Sequence, residues 1–536
     1  MKSPMSDVNI PDLPLHEVLL RHAKQYGDRK ALICGETGRT YTYRQLAHFV
    51  RTVASGLVKA GVTTSTKVAI LSPNVPEWAF FLYGVIAAGG TATTINPSYT
   101  ATEIAQQLKM VNASMIITIP GFENQINDAI QKIGPSRIRK KYMLGNTVPK
   151  GYIPFSNLMK DDGNSYPAVN YDIRKHVAVI AFSSGTTGLP KGVMLTHYSI
   201  VANIHQNQEM FFPQSMNLYN PNRGSASLGV LPFFHSFGLS CILCLQLAMG
   251  LTIVTLRRFQ PDLFLKTIKN YNIEGLTVVP PMVLFLAKDP RVKKSDVCHV
   301  KVTFCGAAPL SAELINQYKS RVPGEVVQGY GLTEASPSLL GPIFGRHMEI
   351  GSAGYLLPNT ELLVLDRETG EEITEPGMRG ELLFRGPQIM KGYYDNPEAT
   401  ATTIDKEKWL HTGDVGYFNK EGNVFIVDRV KELIKYKGFQ VAPAELEALL
   451  LSHSAISDAA VIGIPDEGAG ELPRAYVVFK PGQEVNIPDI HQFFSEHAAG
   501  YKQLRGGIIV TRQIPKSASG KILRRQLKEL VIQSRL

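Results

Sequence analysis

The sequence predicts an α/β protein with a large N-terminal domain of parallel-rich sheets and a small C-terminal α+β domain. Two observations support this fold class. At 536 residues the chain is longer than a single hydrophobic core normally organises, so at least two domains are expected. Short apolar segments of strand length alternate with helical patterns as far as Leu310, which is typical of parallel sheets covered by helices on both faces.

The strands of this region are predicted from continuous runs of Val, Ile and Leu, because strands buried on both faces lack a polar alternation. The stretch EWAFFLYGVIAAGG follows the first of them and predicts an amphipathic helix that ends at its glycines. The predicted strands are residues 67–73, 114–119, 176–184, 227–235, 251–256, 275–281 and 301–310.

The pattern changes near Gly351, where short strands separated by Gly-containing turns begin, as in GELLFRGP. A β-rich subdomain is therefore predicted at about residues 351–428. Beyond Val430 alternating helical and strand patterns describe a compact unit. We predict an N-terminal domain of residues 1–428 and a C-terminal domain of residues 429–536, with their boundary near residues 428–431.

The composition argues against several classes of function. Lys and Arg number 56 against 46 Asp and Glu, a net charge of +10, but no dense basic cluster is interleaved with aromatic residues, so no nucleic-acid partner is expected. The five cysteines are few and irregularly spaced, which fits a reducing compartment. Cys241 and Cys244 form a CxxC inside an apolar run without a second pair, so they are expected to be buried small hydrophobes rather than zinc ligands.

The sequence predicts neither a signal peptide nor a transmembrane segment. The start of the chain lacks a continuous apolar region, and the most apolar stretch, residues 239–254, is short for a bilayer and contains Ser240 and Gln246. The last three residues, Ser534, Arg535 and Leu536, resemble the peroxisomal address Ser-Lys-Leu. They predict a peroxisomal location and an import receptor as partner. A helix that ends in these letters by chance, in a cytoplasmic protein, is the alternative.

The loop SSGTTGLPKG, at residues 183–192, combines small polar side chains with one positive charge. Its glycines permit close backbone approach, and consecutive amide N–H groups can hold phosphate oxygens. The loop is not a Walker motif, because Leu189 and Pro190 separate its second glycine from Lys191. On composition alone, a flexible Gly/Ser turn remains the alternative.

Four further motifs follow this loop along the chain. They are QGYGLTE at 328–334, WLHTGD at 409–414, VDRVKELIKYKGFQVAPAELE at 427–447 and PKSASGK at 515–521. With the loop, they resemble the adenylate-forming superfamily of acyl-CoA synthetases, 4-coumarate–CoA ligases and beetle luciferases over nearly the whole chain. The resemblance implies that a carboxylate attacks the α-phosphorus of ATP to give an acyl-adenylate and pyrophosphate, and that the thiol of coenzyme A then displaces AMP.

The resemblance also implies roles around the nucleotide. The loop would hold the β- and γ-phosphates, Glu334 and Thr186 would hold Mg²⁺, Thr333 would donate to the α-phosphate and Tyr330 would stack on adenine. A helix N-terminal acid and a core tyrosine are the alternatives for Glu334 and Tyr330. The implied ATP-binding residues are Ser183, Ser184, Gly185, Thr186, Thr187, Gly188, Lys191, Gly306, Ala307, Ala308, Gln328, Gly329, Tyr330, Gly331, Asp414, Arg429 and Lys521.

Two charged positions are implied to serve the first half-reaction. Asp414 offers two carboxylate oxygens to the ribose hydroxyls with Arg429 beside it, and a buried salt bridge between the two is compatible with that role. Lys521 would reach the reacting carboxylate and the α-phosphate. The alternative is a lysine exposed to solvent without a role in the reaction. The resemblance further implies that the C-terminal domain is mobile, with a hinge at about residues 428–431, and that its rotation in the second half-reaction would bring Lys435 to the adenylate. The residues implied to contact coenzyme A are Lys437, Gly438 and Phe439.

His235 is implied to lie at the carboxylate end of the acyl pocket, with a satisfied core histidine as the alternative. The pocket residues implied are His235, Ser236, Phe237, Gly238, Gly306, Gly331 and Gly354. They are small or apolar and offer no charge to a second ionised group. A hydrophobic acid, either a fatty acid or an aromatic acid, is therefore expected, and a peroxisomal location would favour a fatty acid.

The activity expected from these residues is an AMP-forming acid–CoA ligase that uses ATP, Mg²⁺ and coenzyme A. Activation of an aromatic acid of the 4-coumarate type is one alternative. A luciferase-type monooxygenase, which oxidises the adenylate, is another. A non-catalytic binding protein of the same fold is the third.

Overall fold

The computed structural model describes residues 1–183, 190–215, 224–308, 310, 312–429, 431–437, 439–483, 486–517 and 520–533. Within these residues the fold is mixed α/β, with two large parallel-rich sheets, a β-rich part and a separate C-terminal unit, so the predicted fold class is confirmed. The α-helices are Leu15–Tyr26, Tyr43–Lys59, Trp78–Ala87, Ala101–Met110, Glu123–Ile133, Ser156–Met159, His197–Ser215, Leu245–Ala248, Pro261–Asn270, Pro280–Lys288, Lys294–Val297, Ala312–Lys319, Pro397–Thr403, Pro443–Ser452, Ile487–His497 and Arg524–Gln533.

The first large sheet contains eight strands among the described residues. Its central strands pair in parallel, and the two strands at one edge pair antiparallel. In spatial order they are Gly392–Tyr393, Lys191–Thr196, Val177–Ser183, Thr91–Ile95, Lys67–Leu71, Met115–Thr118, Lys140–Met143 and Ile153–Pro154. Strand Val177–Ser183 therefore delivers the start of the SSGTTGLPKG loop to the carboxyl edge of the sheet.

The second large sheet is parallel except for its last pair. In spatial order its described strands are Glu325–Gln328, Val302–Cys305, Ile273–Val278, Ala226–Gly229, Thr252–Thr255, Lys30–Cys34 and Thr40–Thr42. A π-helix, Phe237–Cys244, leads directly into helix Leu245–Ala248. The strand predicted at 227–235 ends at Gly229, and the apolar run after His235 is helical.

The sequence predicts an amphipathic helix after strand Lys67–Leu71, and this prediction is wrong. All ten residues of Trp78–Ala87 are buried. The helix packs closely on Tyr43–Lys59, where a Cβ added at Gly84 would lie 2.3 Å from Cγ1 of Val53. A helix covered on every side has no solvent face to accommodate a polar stripe.

The β-rich part and the C-terminal unit lie in the order that the sequence predicts. A small sheet is formed by Tyr330–Gly331, Ser338–Gly341 and Tyr355–Leu356, and an antiparallel sheet by Glu361–Leu365, Gly380–Arg385, Leu410–Phe418 and Val424–Arg429. The C-terminal sheet contains Phe439–Val441, Ile434–Tyr436, Gly470–Phe479, Ile456–Asp466 and Ile508–Val510, with its own hydrophobic cluster. The exact domain boundaries and the hinge stay predictions, and Val430 lies outside the described residues.

Among the described residues, no helix is both long enough and apolar enough to cross a bilayer.

Candidate active site

A cavity of about 1680 Å³ opens where both large sheets, the β-rich part and the C-terminal unit meet. The carboxyl ends of parallel strands converge there, and Ser183, Gly306 and Gln328 all lie at such strand ends. Most predicted site residues that the structure describes line this one cavity: Ser183, Lys191, His235, Ser236, Phe237, Gly306, Ala307, Gln328, Gly329, Tyr330, Gly331, Thr333, Glu334, Arg429 and Lys521. Ser184, Gly185, Thr186, Thr187 and Gly188 lie outside the described residues.

Asp414 is held from two sides behind the cavity wall. Its Oδ2 accepts a hydrogen bond of 2.5 Å from the Tyr330 hydroxyl, and its Oδ1 lies 3.2 Å from Nε of Arg429. Burial raises the pKa of Asp414, and the Arg429 charge opposes that shift. The salt bridge foreseen between Asp414 and Arg429 is present, and together with the hydrogen bond from Tyr330 it holds both carboxylate oxygens.

Glu334 lines the cavity from the short turn Thr333–Ala335. Its Oε1 accepts a hydrogen bond of 2.9 Å from the Tyr393 hydroxyl, and the Nζ of Lys191 lies 4.8 Å from the centre of the Tyr393 ring. The neighbouring Thr333 hydroxyl lies 3.1 Å from the hydroxyl of Ser236. The hydroxyl of Thr333, the carboxylate of Glu334 and the cation of Lys191 are thus arranged around the start of the SSGTTGLPKG loop.

The carboxylate of Glu334 suits a Mg²⁺ ion that is bound jointly by the protein and by a polyphosphate. Among the described residues no cluster of three or more His, Cys, Asp or Glu side chains could hold a metal ion by itself. Magnesium commonly takes one or two protein carboxylates and completes its octahedron with phosphate oxygens and water. Glu334 supplies one such carboxylate, so the residues present fit the ion.

Lys521 projects from a short loop of the C-terminal unit into the cavity. The loop is closed by hydrogen bonds from Ser517 N to Lys521 O, at 2.8 Å, and from Lys521 N to Ser517 Oγ, at 3.1 Å. Burial lowers the pKa of Lys521, and the nearby Arg429 charge lowers it further. The lysine is thus enclosed by the site and is not a solvated side chain.

His235 shares this environment. Burial, reinforced by the charge of Lys521, lowers the pKa of His235 to about 4. Its Nδ1 accepts a hydrogen bond of 3.3 Å from the backbone N–H of Phe237, which leaves the proton of the neutral ring on Nε2. At neutral pH the imidazole can therefore donate a hydrogen bond without adding charge.

The residues predicted for the second half-reaction lie away from the cavity. Lys435, Lys437 and Phe439 are exposed residues of the hairpin formed by strands Ile434–Tyr436 and Phe439–Val441, and none of the three lines the cavity. The ring of Phe439 stacks on Tyr501 with centroids 4.6 Å apart. Gly438 lies outside the described residues. The structure thus presents Lys521, and not Lys435, to the site.

Besides Asp414 and the three residues just named, three more predicted positions do not line the cavity. A Cβ added at Gly238 would lie 2.1 Å from the carbonyl oxygen of Pro232, and one at Gly354 would lie 2.3 Å from that of Gly341. Both glycines therefore permit close backbone packing and do not widen the acyl pocket. Ala308 follows Ala307 on the loop after strand Val302–Cys305, and only Ala307 reaches the cavity.

Sequence reasoning missed a group of charged residues beside Lys521. Arg524 donates from Nη1 to Glu432 at 2.9 Å and from Nη2 to both oxygens of Glu447, at 2.7 and 2.8 Å. Burial raises the pKa of Glu447 to about 7, while Arg524 opposes the shift. The only sequence signal was the position of Arg524 three residues after Lys521.

Comparisons with known proteins agree with this geometry. The family described as AMP-binding enzyme matches residues 19–394, and the AMP-binding enzyme C-terminal domain matches residues 445–521. The chain is 41% identical to 4-coumarate–CoA ligase 2 of Petroselinum crispum over 98% of this chain and 96% of that protein. It is 39% identical to probable 4-coumarate–CoA ligase 3 of Dictyostelium discoideum, with the same coverage.

Solved structures agree in fold. The anthranilate CoA ligase AuaEII in complex with anthranoyl-AMP superimposes with a TM-score of 0.88 at 23% identity, over 99% of both chains. The o-succinylbenzoate CoA synthetase of Bacillus subtilis in complex with its acyl-adenylate superimposes with a TM-score of 0.78 at 26% identity, over 96% of this chain and 98% of that one.

Proposed function

Because the chain belongs to the AMP-binding enzyme family and is an AMP-forming acid–CoA ligase, we propose that it activates a hydrophobic carboxylic acid at the cavity described above. ATP and coenzyme A are its co-substrates, and the acid passes through an acyl-adenylate. The observation that supports the assignment of this site is the convergence of Lys521, His235, Asp414 and Glu334 around one cavity from four parts of the chain.

In the first half-reaction the residues bring two anions together and neutralise their repulsion. Asp414 binds the ribose hydroxyls while Tyr330 and Arg429 hold its two oxygens in place. Lys521 offers its cation between the acid and the α-phosphate. His235 donates from Nε2 to the acid and orients it for attack.

Pyrophosphate leaves on the side of Lys191 and Glu334. Mg²⁺, when bound through Glu334, supplies charge neutralisation to the departing phosphates. The cation of Lys191, held over the Tyr393 ring, acts on the same charge. The result is an acyl group joined to AMP within the cavity.

In the second half-reaction the thiol of coenzyme A attacks the acyl carbon and AMP leaves. Lys521 occupies the cavity here, and Lys435 lies on an exposed hairpin, so the thiol step calls for a different placement of the C-terminal unit. We propose rotation about residues 428–431, which withdraws Lys521 and presents Lys435, Lys437 and Phe439.

The experiment is acid-dependent exchange of labelled pyrophosphate into ATP, followed by product analysis with coenzyme A. The expected result is exchange that requires an acid, and AMP with acyl-CoA as products. ADP as the spent nucleotide, or no exchange with any acid, would contradict the proposal. Light emission or oxygen uptake would assign the adenylate an oxidative fate.

The location proposed is the peroxisome, and only the terminal sequence Ser534, Arg535 and Leu536 supports it. Peroxisomal fluorescence of the full chain carrying an N-terminal fluorescent protein is expected. Deletion of the three residues should release the fusion to the cytosol while acid-dependent exchange is kept. A cytosolic full-length fusion would contradict the proposal.

A further inference from the structure

The cavity continues inward from the reacting groups along one face of the second large sheet. Val302, Phe304 and Gly306 alternate along strand Val302–Cys305 and the residue after it, so they lie on the same face, and all three line the cavity. The register pairs Phe304 with Thr277, which places Thr277 on that face too. From Gly306 to Val302 the cavity follows the strand for about 13 Å, at roughly 3.3 Å per residue.

The opposite wall is a single helical stripe. Phe237, Cys241, Leu245 and Met249 recur at every fourth residue along the helical run that starts at Phe237, and each lines the cavity. Leu251, at the start of strand Thr252–Thr255, lies with Met249 at the inner end. The two walls therefore enclose an elongated slot between a helix and a sheet.

The inner slot is apolar. Among its described residues no side chain is charged, and burial raises the pKa of the Cys241 thiol to about 11, so this thiol stays neutral. Gln246 and Thr277 are the polar exceptions, and they satisfy each other through a hydrogen bond of 3.3 Å from Nε2 to Oγ1. Gln246 also bonds the Ser227 hydroxyl through Oε1. A ligand chain without polar groups can therefore fill the slot, because the buried polar groups of Gln246 and Thr277 already have hydrogen-bond partners in the protein.

On the basis of the proposed ligase activity, we propose that the preferred acid is an unbranched aliphatic acid of about ten to twelve carbons. An extended chain with bonds of about 1.5 Å and angles near 111° advances roughly 1.25 Å per carbon, so about ten carbons span the 13 Å of the slot. The carboxylate lies near His235 and the methyl end reaches Met249 and Leu251. An aromatic acid that closes six carbons into a ring is shorter and leaves the inner end unfilled.

The first experiment measures acid-dependent pyrophosphate exchange by the full-length enzyme with straight-chain acids of four to sixteen carbons, and with 4-coumarate and cinnamate. Because each buried methylene stabilises binding, kcat/KM should rise by about fourfold per carbon from hexanoate and reach its maximum at about ten to twelve carbons. A maximum at an aromatic acid or at a shorter aliphatic acid would overturn this inference while leaving the ligase proposal intact. Absence of exchange with every acid would defeat the ligase proposal itself.

The second experiment shortens the slot. Met249→Phe should lower kcat/KM for dodecanoate at least tenfold relative to hexanoate, and Leu245→Phe, nearer the mouth, should move the optimum to still shorter acids. Met378→Phe is the matched control, because Met378 is exposed and outside the cavity. An unchanged chain-length profile in both folded cavity variants would overturn the inference. If neither variant folds, the chain-length profile of the unmodified enzyme decides.

Discussion

The hydroxyl of Tyr330 donates a hydrogen bond of 2.5 Å to Oδ2 of Asp414, across 84 residues of sequence. Asp414 is buried, and Arg429 holds its other oxygen. The burial of a carboxylate costs free energy unless its oxygens are paired, so these two partners stabilise Asp414 in the position from which it is proposed to bind the ribose.

Replacement of Tyr330 by Phe should therefore weaken ATP binding. A hydrogen bond to a charged group contributes about 1.5–3 kcal/mol, which corresponds to roughly a tenfold to hundredfold rise in KM for ATP. Steady-state pyrophosphate exchange at varied ATP measures the effect. Tyr417→Phe is the matched control, because Tyr417 stacks on Phe425 outside the cavity. An unchanged KM for ATP in Tyr330→Phe would contradict the proposed role.

Replacement of Lys521 and replacement of Lys435 should impair different half-reactions. Lys521→Ala should slow adenylate formation by at least a hundredfold, because a cation beside the developing charge is lost, and should leave thioester formation from supplied adenylate nearly intact. Lys435→Ala should do the reverse. Pyrophosphate exchange reports the first step and single-turnover acyl-CoA formation the second. Lys420→Ala, at an exposed turn, serves as control. Equal damage to the same step by both variants would rule out alternation.

A buried histidine cluster predicts loss of stability in mild acid. Burial lowers the pKa of His16 to about 4, and His197, whose ring centroid lies 6.1 Å from that of His16, is shifted in the same direction by burial. Between pH 6.5 and 4 the unfolded chain binds protons that the folded His16 does not, so the free energy of unfolding falls as pH falls through this window.

For His16 alone the loss between pH 7.5 and pH 5 should be about 2 kcal/mol. Chemical denaturation at the two pH values measures it, and His16→Leu should show a smaller difference than the unmodified protein. His491→Leu, on helix Ile487–His497 and outside the cluster, is the control. A pH difference that stays the same in His16→Leu would refute the assignment.

The sequence predicted those features that depend on local pattern. Continuous Val and Ile runs identified the parallel strands because burial on both faces leaves no polar alternation. The helix Trp78–Ala87 was expected to be amphipathic, although its ten letters contain no charged residue, and that lack was the available signal of burial on every side.

Contacts between residues that are distant in sequence could not be predicted from local sequence pattern. In sequence, Gly238 and Gly354 cannot be distinguished from glycines that widen a pocket. The structure shows that they permit close backbone packing, because the carbonyls of Pro232 and Gly341 lie beside them. Tyr393 contacts Glu334 from 59 residues away, which no motif spacing indicates.

Arg524 should position Lys521 through its ion pairs. Its guanidinium binds both oxygens of Glu447 and one of Glu432, and its Nε donates to the carbonyl of Val461 at 3.2 Å, so helix Arg524–Gln533 is anchored directly after the Lys521 loop. Removal of the Glu447 carboxylate leaves a buried cation partly unpaired and frees this anchor.

Glu447→Ala should consequently slow pyrophosphate exchange at least tenfold while KM for ATP stays within about twofold, because Asp414 and Glu334, the residues proposed to bind the nucleotide, are not altered. Glu447→Asp, which keeps a carboxyl group as a partner for Arg524, should recover part of the rate. Thioester formation from supplied adenylate should be affected less than exchange, since the proposed mechanism withdraws Lys521 from the site in that step. Equal loss in both half-reactions with no recovery by Asp would show that Glu447 only stabilises the fold, and a lowered melting temperature without loss of exchange would lead to the same conclusion.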